Sequence, residues 1–594
     1  MSYTDSSGDK HNESLTITPS NTTTDNFSAM SIDDATHQSV DYGPIEREKL
    51  GDPLLPHLAS HGQVNNDSQP KSLARGMLAW HVNLISLGGI IGSCYFLGVG
   101  ITFNAMGAVP VLIGYFLAGV AVFGVMQSFA ELLVNLPRHG SFIAYNREFL
   151  GDALTTAIGW CFWLNWVMYV PSECLAFATF MNTYYTIPFK NKAWSDFVWG
   201  SICLVLLTTI NLFKVKCFGY VESINATLKI LVIAFFAIVA LFIWFGVIGD
   251  KVHPFTDERV GFIGSKIITQ GEGTMAHRLF PNGYLCMVTY LIIVLVNFQG
   301  SEIVGLSAAE TQNPEKNIPN ACKQVAIRII IVYLIPILLI TLIVPYDKVP
   351  KTDSVFAFAL TSYGLKWAGK IFTFITLVSA FSCANSGLYG TVRSIYGLSK
   401  EGLAPKFLST LNKFNSPRNA ILFTLSFIWI VFLFGFLSQN LGVFGSNASS
   451  LYEYLLNISG FFGTIMWIGI IVSQIIFRIK MKRRGYNPKS DIVAHAMFYP
   501  YLHIFSIVLQ TVGLFSLLFT KTGWTIFAAA SAIFLSIVFI FLILQKCGKI
   551  STNAVYAEDE VLFDMKYPQK TYFGVDHVNL LDKDKLLVQD PEIH

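Results

Sequence analysis

Hydrophobic and polar positions divide the chain into a polar head, a long series of apolar segments and a polar tail. Crossing the roughly 30 Å hydrocarbon core of a bilayer takes about 20 consecutive apolar residues in a helix. Segments of that kind recur near 80–104, 109–135, 154–186, 197–213, 219–249 and 283–310, and again near 322–345, 355–395, 419–438, 450–477, 497–520 and 523–546. The pattern predicts an all-α integral membrane protein with twelve transmembrane helices. Segment 355–395 is too long for a simple span and is expected to begin as a peripheral helix. Residues 1–75, rich in Ser, Thr, Asn and Asp, read as a disordered N-terminal tail. Residues 76–548 form the twelve-helix unit, and 549–594 a C-terminal tail.

Two of these segments are interrupted. The first predicted helix contains Gly88-Gly89-Ile90-Ile91-Gly92-Ser93-Cys94, and the sixth contains Asn297-Phe298-Gln299-Gly300-Ser301-Glu302. Unwound backbone at membrane depth is tolerated only where protein or a cavity satisfies it. Interrupted helices at corresponding places in two halves point to a transporter's substrate site. The breaks open two groups of five helices, and an odd number per group makes successive groups opposite in orientation. The expected architecture is therefore a five-plus-five inverted repeat with discontinuous helices 1 and 6, followed by helices 11 and 12.

Composition agrees with a membrane protein: 53% of the 594 residues are hydrophobic and 13% charged. The net charge of +3 conceals a division, since both tails are acidic and the middle carries the compensating excess of Lys and Arg. Positive residues favour the cytoplasmic side of short loops. With the N-terminus inside, cytoplasmic loops receive Arg138 and Arg147, Lys214 and Lys216, Lys316 and Lys323, then Arg393, Lys400, Lys406, Lys413 and Arg418, and finally Arg478, Lys480, Lys482, Arg483 and Arg484. Both termini are thus expected in the cytoplasm, with no signal peptide. The lipid bilayer is an obligatory partner and nucleic acid is not one. The Asn447 sequon falls in an outer loop.

Nine cysteines follow no metal-ligand spacing, and no Walker loop, zinc site or nucleophile triad is present. Enzymatic activity, a metal or another cofactor, and ATP-driven pumping are not expected. Candidate chemistry lies instead at the breaks. Gly89 and Gly92 free the backbone, and the N–H groups of Gly92, Ser93 and Cys94 suit a carboxylate at a half-helix N-terminus. Close helix packing is the alternative use of such small residues. At the second break, Phe298, Gln299, Gly300 and Ser301 offer unwound carbonyls to an ammonium group. Glu302 offers a carboxylate to a cationic side chain or a proton, or serves as a structural acid bonded to neighbouring N–H groups. Glu310 lies nearer the cytoplasmic end, where it gates or is solvated. Glu173 follows Pro171, which is expected to kink helix 3. Lys229, deep in helix 5, must find partners or neutralise, and can stand in for a coupling cation. Asn385, in Asn385-Ser386-Gly387, and Asn457 bind substrate or join helices. The run Trp160, Trp163 and Trp166 serves packing more readily than the cavity.

Residues 75–545 resemble the amino acid–polyamine–organocation superfamily, and within it the fungal amino acid permease family, similar to the basic amino acid permeases and the bacterial lysine permease. The resemblance rests on His81–Gly92 (HVNLISLGGIIG), Phe298–Glu310 (FQGSEIVGLSAAE), Asn313–Pro319 (NPEKNIP) and Tyr396–Lys406 (YGLSKEGLAPK). It implies proton-coupled symport of amino acids at the plasma membrane by alternating access. Carried over, Ser93 and its neighbours bind the substrate carboxylate, the backbone of 298–301 takes the α-ammonium, and Glu302 stands beside the site. Lys229 matches a lysine that replaces sodium in proton-coupled members, and Glu173 an acid of helix 3. The Phe-Gln-Gly-Ser-Glu wording leans to cationic substrates, arginine or lysine. One departure is Cys94, where relatives have glycine.

Two rival readings remain: a permease-like nutrient sensor signalling through its cytoplasmic tails, which Cys94 favours, and a permease for neutral amino acids. Tail lysines, Lys10 and Lys49 among them, are candidate ubiquitin acceptors for a ubiquitin-ligase machinery.

Overall fold

The computed structural model describes chiefly residues 91–136, 142–189, 191–212, 215–248, 279–303 and most of 329–548. Gly88, Gly89, Glu310, the Asn447 sequon and both tails lie outside the described residues. Every regular element among the described residues is a helix. In chain order they are α1 (Cys94–Met106), α2 (Ala108–Asn135), α3 (Phe142–Leu150), α4 (Asp152–Tyr184), α5 (Lys192–Leu212), α6 (Val215–Trp244), α7 (Leu285–Thr289) and α8 (Leu291–Val296). There follow α9 (Ile329–Ile343), α10 (Val355–Ser362), α11 (Lys366–Lys400), α12 (Arg418–Leu441), α13 (Ala448–Arg483), α14 (Tyr501–Ser516) and α15 (Gly523–Lys546). Nine helices among the described residues are long and apolar enough to cross a membrane (α2, α4, α5, α6 and α11 to α15), and α1 and α9 are shorter apolar helices.

Helices are what these sequences dictate: an apolar run in a bilayer must satisfy its own backbone, and a helix does so within one segment. The overlong segment 355–395 resolves into α10 and α11, α10 opening with Ser354 Oγ accepting from Ala357 N–H. Helix α4 continues through Pro171. It is apolar on most faces because it is central, packing against α5, α11, α12, α13 and α15. By contrast α15 leaves Leu535, Phe539 and Ile540 exposed, an outer surface suited to lipid.

Several cations that the loop count placed in short connections are helical and buried. Arg147 lies in α3, where its Nε donates to Asp152 (2.8 Å) and its Nη1 to Glu401 (2.8 Å), tying α3 to the end of α11. Arg393 lies in α11 with its guanidinium 3.8 Å from the Tyr389 ring. Arg478 lies in α13 and donates to both oxygens of the buried Glu131 on α2, which also accepts from Gln474 and from Ala496 N–H. A positive residue in an apolar helix finds an acid on a neighbouring helix sooner than it reaches water, and loop counting does not see that pairing.

Candidate functional site

The first break enters α1 through Gly92 and Ser93, and the first five residues, Cys94–Gly98, wind as a π-helix. Ser93 N–H donates to both carboxylate oxygens of Glu173 on α4, at 3.2 and 3.0 Å. The Ser93 hydroxyl lies 2.9 Å from that of Tyr452 on α13. Gly92 is required by close approach: a Cβ there would fall 2.5 Å from Glu173 Oε1 and 2.7 Å from Cys383 Sγ. Cys94 is buried beside the hydroxyls of Tyr452 and Tyr169. Its sulfur would stand 2.9 Å from a Cβ at Gly98, so the thiol is part of the wall. This arrangement holds a carboxylate on a backbone amide, in a place closed to water.

The second break follows α8. Residues 297–302 continue as turns, and Gly300 takes φ +104°, a conformation that only glycine adopts without strain. Its N–H donates to Glu302 Oε2 (3.1 Å), which also accepts from Trp467 Nε1 (3.2 Å). Two of the unwound carbonyls accept from side chains, Asn297 O from Tyr333 (2.6 Å) and Phe298 O from the Ser301 hydroxyl (2.9 Å). The Phe298 ring packs on Tyr333, centroids 4.4 Å apart. Gln299 Oε1 accepts from Ser459 (3.4 Å), whose hydroxyl also bonds Asn165 Oδ1. Buried here without a hydrogen-bond partner among the described residues are Gln299 Nε2 and Asn165 Nδ2, while Trp166 stands beside the Glu302 carboxyl. The cost of burying polar atoms without partners makes this the part of the cluster best prepared for a polar ligand.

The breaks meet. A Cβ on Gly98 would lie 3.4 Å from Asn297 Nδ2, and Tyr333 bonds Asn297 while its ring stands 5.1 Å from that of Tyr95. Trp166, 5.1 Å from Tyr169 between ring centroids, links the two sides. Trp160 and Trp163 turn elsewhere, Trp163 donating to Thr424 on α12.

Lys229 is buried on α6, and its electrostatic partners are Glu222, Cys383 and Glu173. Asn385 Oδ1 accepts from Asn211 on α5 (2.8 Å), beside Ser382, which donates to Glu222 Oε1 (2.6 Å). The predicted residues Gly92, Ser93, Cys94, Glu173 and Lys229 therefore form one cluster. Phe298, Gln299, Gly300, Ser301 and Glu302 form a second that adjoins it, and Asn385 belongs to the α5–α6–α11 face. Sequence reasoning misses Tyr169, Asn165, Tyr452, Ser459, Trp467 and Glu222. Only Glu222 carries a signal, as an acid inside a predicted membrane helix, seven residues and hence about two turns before Lys229.

Buried acids and a lysine set around two unwound segments, inside helices that are apolar outward, define a membrane carrier for a small polar solute. Residues 81–558 match the amino acid permease family. The chain is 31% identical over 454 residues to amino-acid permease RocE of Bacillus subtilis, covering 76% of this chain and 91% of the relative. It is 29% identical over 450 residues to the lysine-specific permease LysP of Escherichia coli, with 74% and 86% covered. It is 28% identical over 482 residues to the basic amino-acid permease of Saccharomyces cerevisiae, with 77% and 79% covered. The chain belongs to the amino acid permease family; it is a multi-pass membrane protein that transports and is not an enzyme.

Proposed function

We propose that this permease imports cationic amino acids, lysine or arginine, across the plasma membrane by proton-coupled symport and alternating access. The observation that carries the reading is the Ser93 amide held on the Glu173 carboxylate. An amide so placed suits the carboxylate that all amino acids share. In this reading the chain spans the membrane twelve times in a five-plus-five inverted repeat with both termini cytoplasmic. The substrate carboxylate takes Ser93 N–H, assisted by Gly92 and Cys94. The α-ammonium faces the backbone of 298–301, and a cationic side chain faces Glu302. Lys229 takes the place of a coupling cation, and Glu173 returns to Ser93 once substrate leaves. The relatives' names, a lysine-specific and a basic amino-acid permease, support the cationic preference.

Uptake of a labelled panel of twenty amino acids in transport-deficient yeast, at two pH values, tests this. Lysine or arginine uptake that rises in acid, is abolished by a protonophore and needs no sodium is the expected result. Uptake of neutral amino acids alone would remove the cationic assignment. Binding without uptake would favour a sensor. Lys229→Met is expected at the cell surface with accumulation lost, and pH-dependent accumulation in that variant would make the lysine structural.

A further inference from the structure

Resting on the symport reading, we infer that Glu222 is a second acid of the coupling relay, receiving the proton from Lys229 on the cytoplasmic side. Glu222 is fully buried on α6, about 10 Å along the helix from Lys229 at 1.5 Å per residue, and on the same face. The two interact electrostatically, and Glu173 faces Lys229 from α4. The other groups at Glu222 come from α11: Ser382 donates to Oε1, and Asn385 and Ser386 stand beside the carboxyl. Asn385 Nδ2 and Ser386 Oγ are within hydrogen-bonding reach of the carboxyl, so α11 surrounds Glu222 with polar groups that can follow a change in its protonation.

Two buried carboxylates and one buried ammonium leave one net negative charge, and an uncompensated ion in a low-dielectric interior costs several kcal/mol. The trio therefore carries one additional proton, and the question is where it resides. When a substrate carboxylate displaces Glu173 from Ser93 N–H, Glu173 loses the donor that favoured its ionised form and holds the proton. The Lys229 ammonium then gives a proton to Glu222, leaving a neutral amine and a carboxylic acid. The amine takes the proton of Glu173, whose carboxylate can return to Ser93. Glu222 finally releases its proton to cytoplasmic water. One proton has moved from Glu173 to the cytoplasm, Lys229 ends as it began, and the trio regains its additional proton from the outer side when Glu173 next meets external water.

Phe218, one turn before Glu222, stacks on Tyr389 of α11 with ring centroids 4.3 Å apart, and the Arg393 guanidinium lies over the same Tyr389 ring, so packed side chains join α6 to α11 next to Glu222. Release from Glu222 thus requires α6 and α11 to part, the same opening that lets the substrate leave. A proton parked on Glu222 stays with the substrate until then.

Full-length protein in proteoliposomes separates coupling from binding. Labelled L-lysine is measured in exchange, without a gradient, and in accumulation driven by an imposed inward proton gradient. Glu222→Gln is expected to lower accumulation at least tenfold more than exchange and to flatten its pH profile, with Glu222→Asp restoring about a third of the accumulation at a shifted pH profile. Glu222→Gln that accumulates lysine with the unmutated pH profile overturns the relay. So does an equal loss of exchange and accumulation in Gln and Asp variants alike, which marks a structural acid. If the Gln variant does not fold, Glu222→Asp decides alone: an unchanged rate and pH profile overturns the inference, and a shifted profile supports it. If the unmutated protein shows exchange but ignores the proton gradient, symport itself fails and the relay with it. Unmutated coupling alongside an indifferent Glu222→Gln removes the relay only.

Discussion

The two helix breaks solve one problem in different ways. Each exposes a backbone N–H inside the protein, and each caps it with a buried carboxylate. At the second break the acid is local: Glu302 bonds Gly300, two residues away, and is pinned again by Trp467. At the first it is remote: Glu173 reaches Ser93 from another helix, eighty residues along the chain. A local cap moves with its own turn, whereas a remote cap can depart when helices shift. In the proposed function this difference would give Glu302 the shape and charge of the pocket, and Glu173 the events that accompany filling and emptying it.

The largest effect should come from the remote cap. Glu173→Gln removes both the carboxylate held by Ser93 N–H and a proton site facing Lys229, so the proposed cycle loses its coupling. Accumulation of labelled lysine should collapse, while equilibrium binding stays level or tightens because a weaker competitor sits on Ser93 N–H. Normal accumulation in that variant would remove the remote cap from the cycle. Gly92→Ala should produce the same defect by another route, since its Cβ meets Glu173 Oε1 and Cys383 Sγ. Because both changes act on one contact, the double variant should be little worse than either single one. Fully additive losses in uptake would show that Gly92 serves something other than seating Glu173.

The local cap should behave differently. Glu302→Gln keeps the shape and removes the charge, so a cationic side chain loses a charge-assisted hydrogen bond of roughly 1.5–3 kcal/mol, about tenfold or more in affinity. Neutral amino acids should be affected much less, and the response of uptake to pH should survive. Equal weakening of lysine and neutral substrates would make Glu302 only a cap for Gly300.

Much of this architecture is legible in the linear pattern of residues. Hydropathy locates the described helices to within a few residues at most ends, and paired glycine-rich interruptions locate both breaks, because bilayer physics constrains where irregular backbone can lie. What a linear pattern does not carry is partnership across helices. Glu173 and Ser93 are individually visible as a buried acid and a break residue, yet neither position says that one holds the other. Arg478 reads as a loop cation until Glu131 on α2 claims it. Asn165, Ser459 and Tyr452 have no periodic signature, since a polar residue in an apolar helix looks alike whether it joins helices or lines a site. Glu222 meets the same criterion that singles out Lys229, an ionisable group within an apolar helix. It lies nearer the start of that helix, where an acid also reads as a solvated helix end, and only the packing of α11 over it shows otherwise.

The smallest effect should come from Cys94, and it tests how tightly the remote cap is walled. The thiol sits beside Tyr169, Tyr452 and Gly98, directly after the residue whose amide Glu173 occupies. Cys94→Gly removes that wall and adds backbone freedom, and glycine within a helix costs about 1 kcal/mol. A looser wall should let bulkier amino acids compete for Ser93 N–H, shifting relative affinities about fivefold while leaving proton coupling in place. Competition of a neutral amino acid panel against labelled lysine measures it. An unchanged competition profile would mean that the tyrosines alone bound the pocket. A loss of coupling as large as that of Glu173→Gln would mean that Cys94 holds the carboxylate in place, and that the first break depends on its wall as much as on its remote acid.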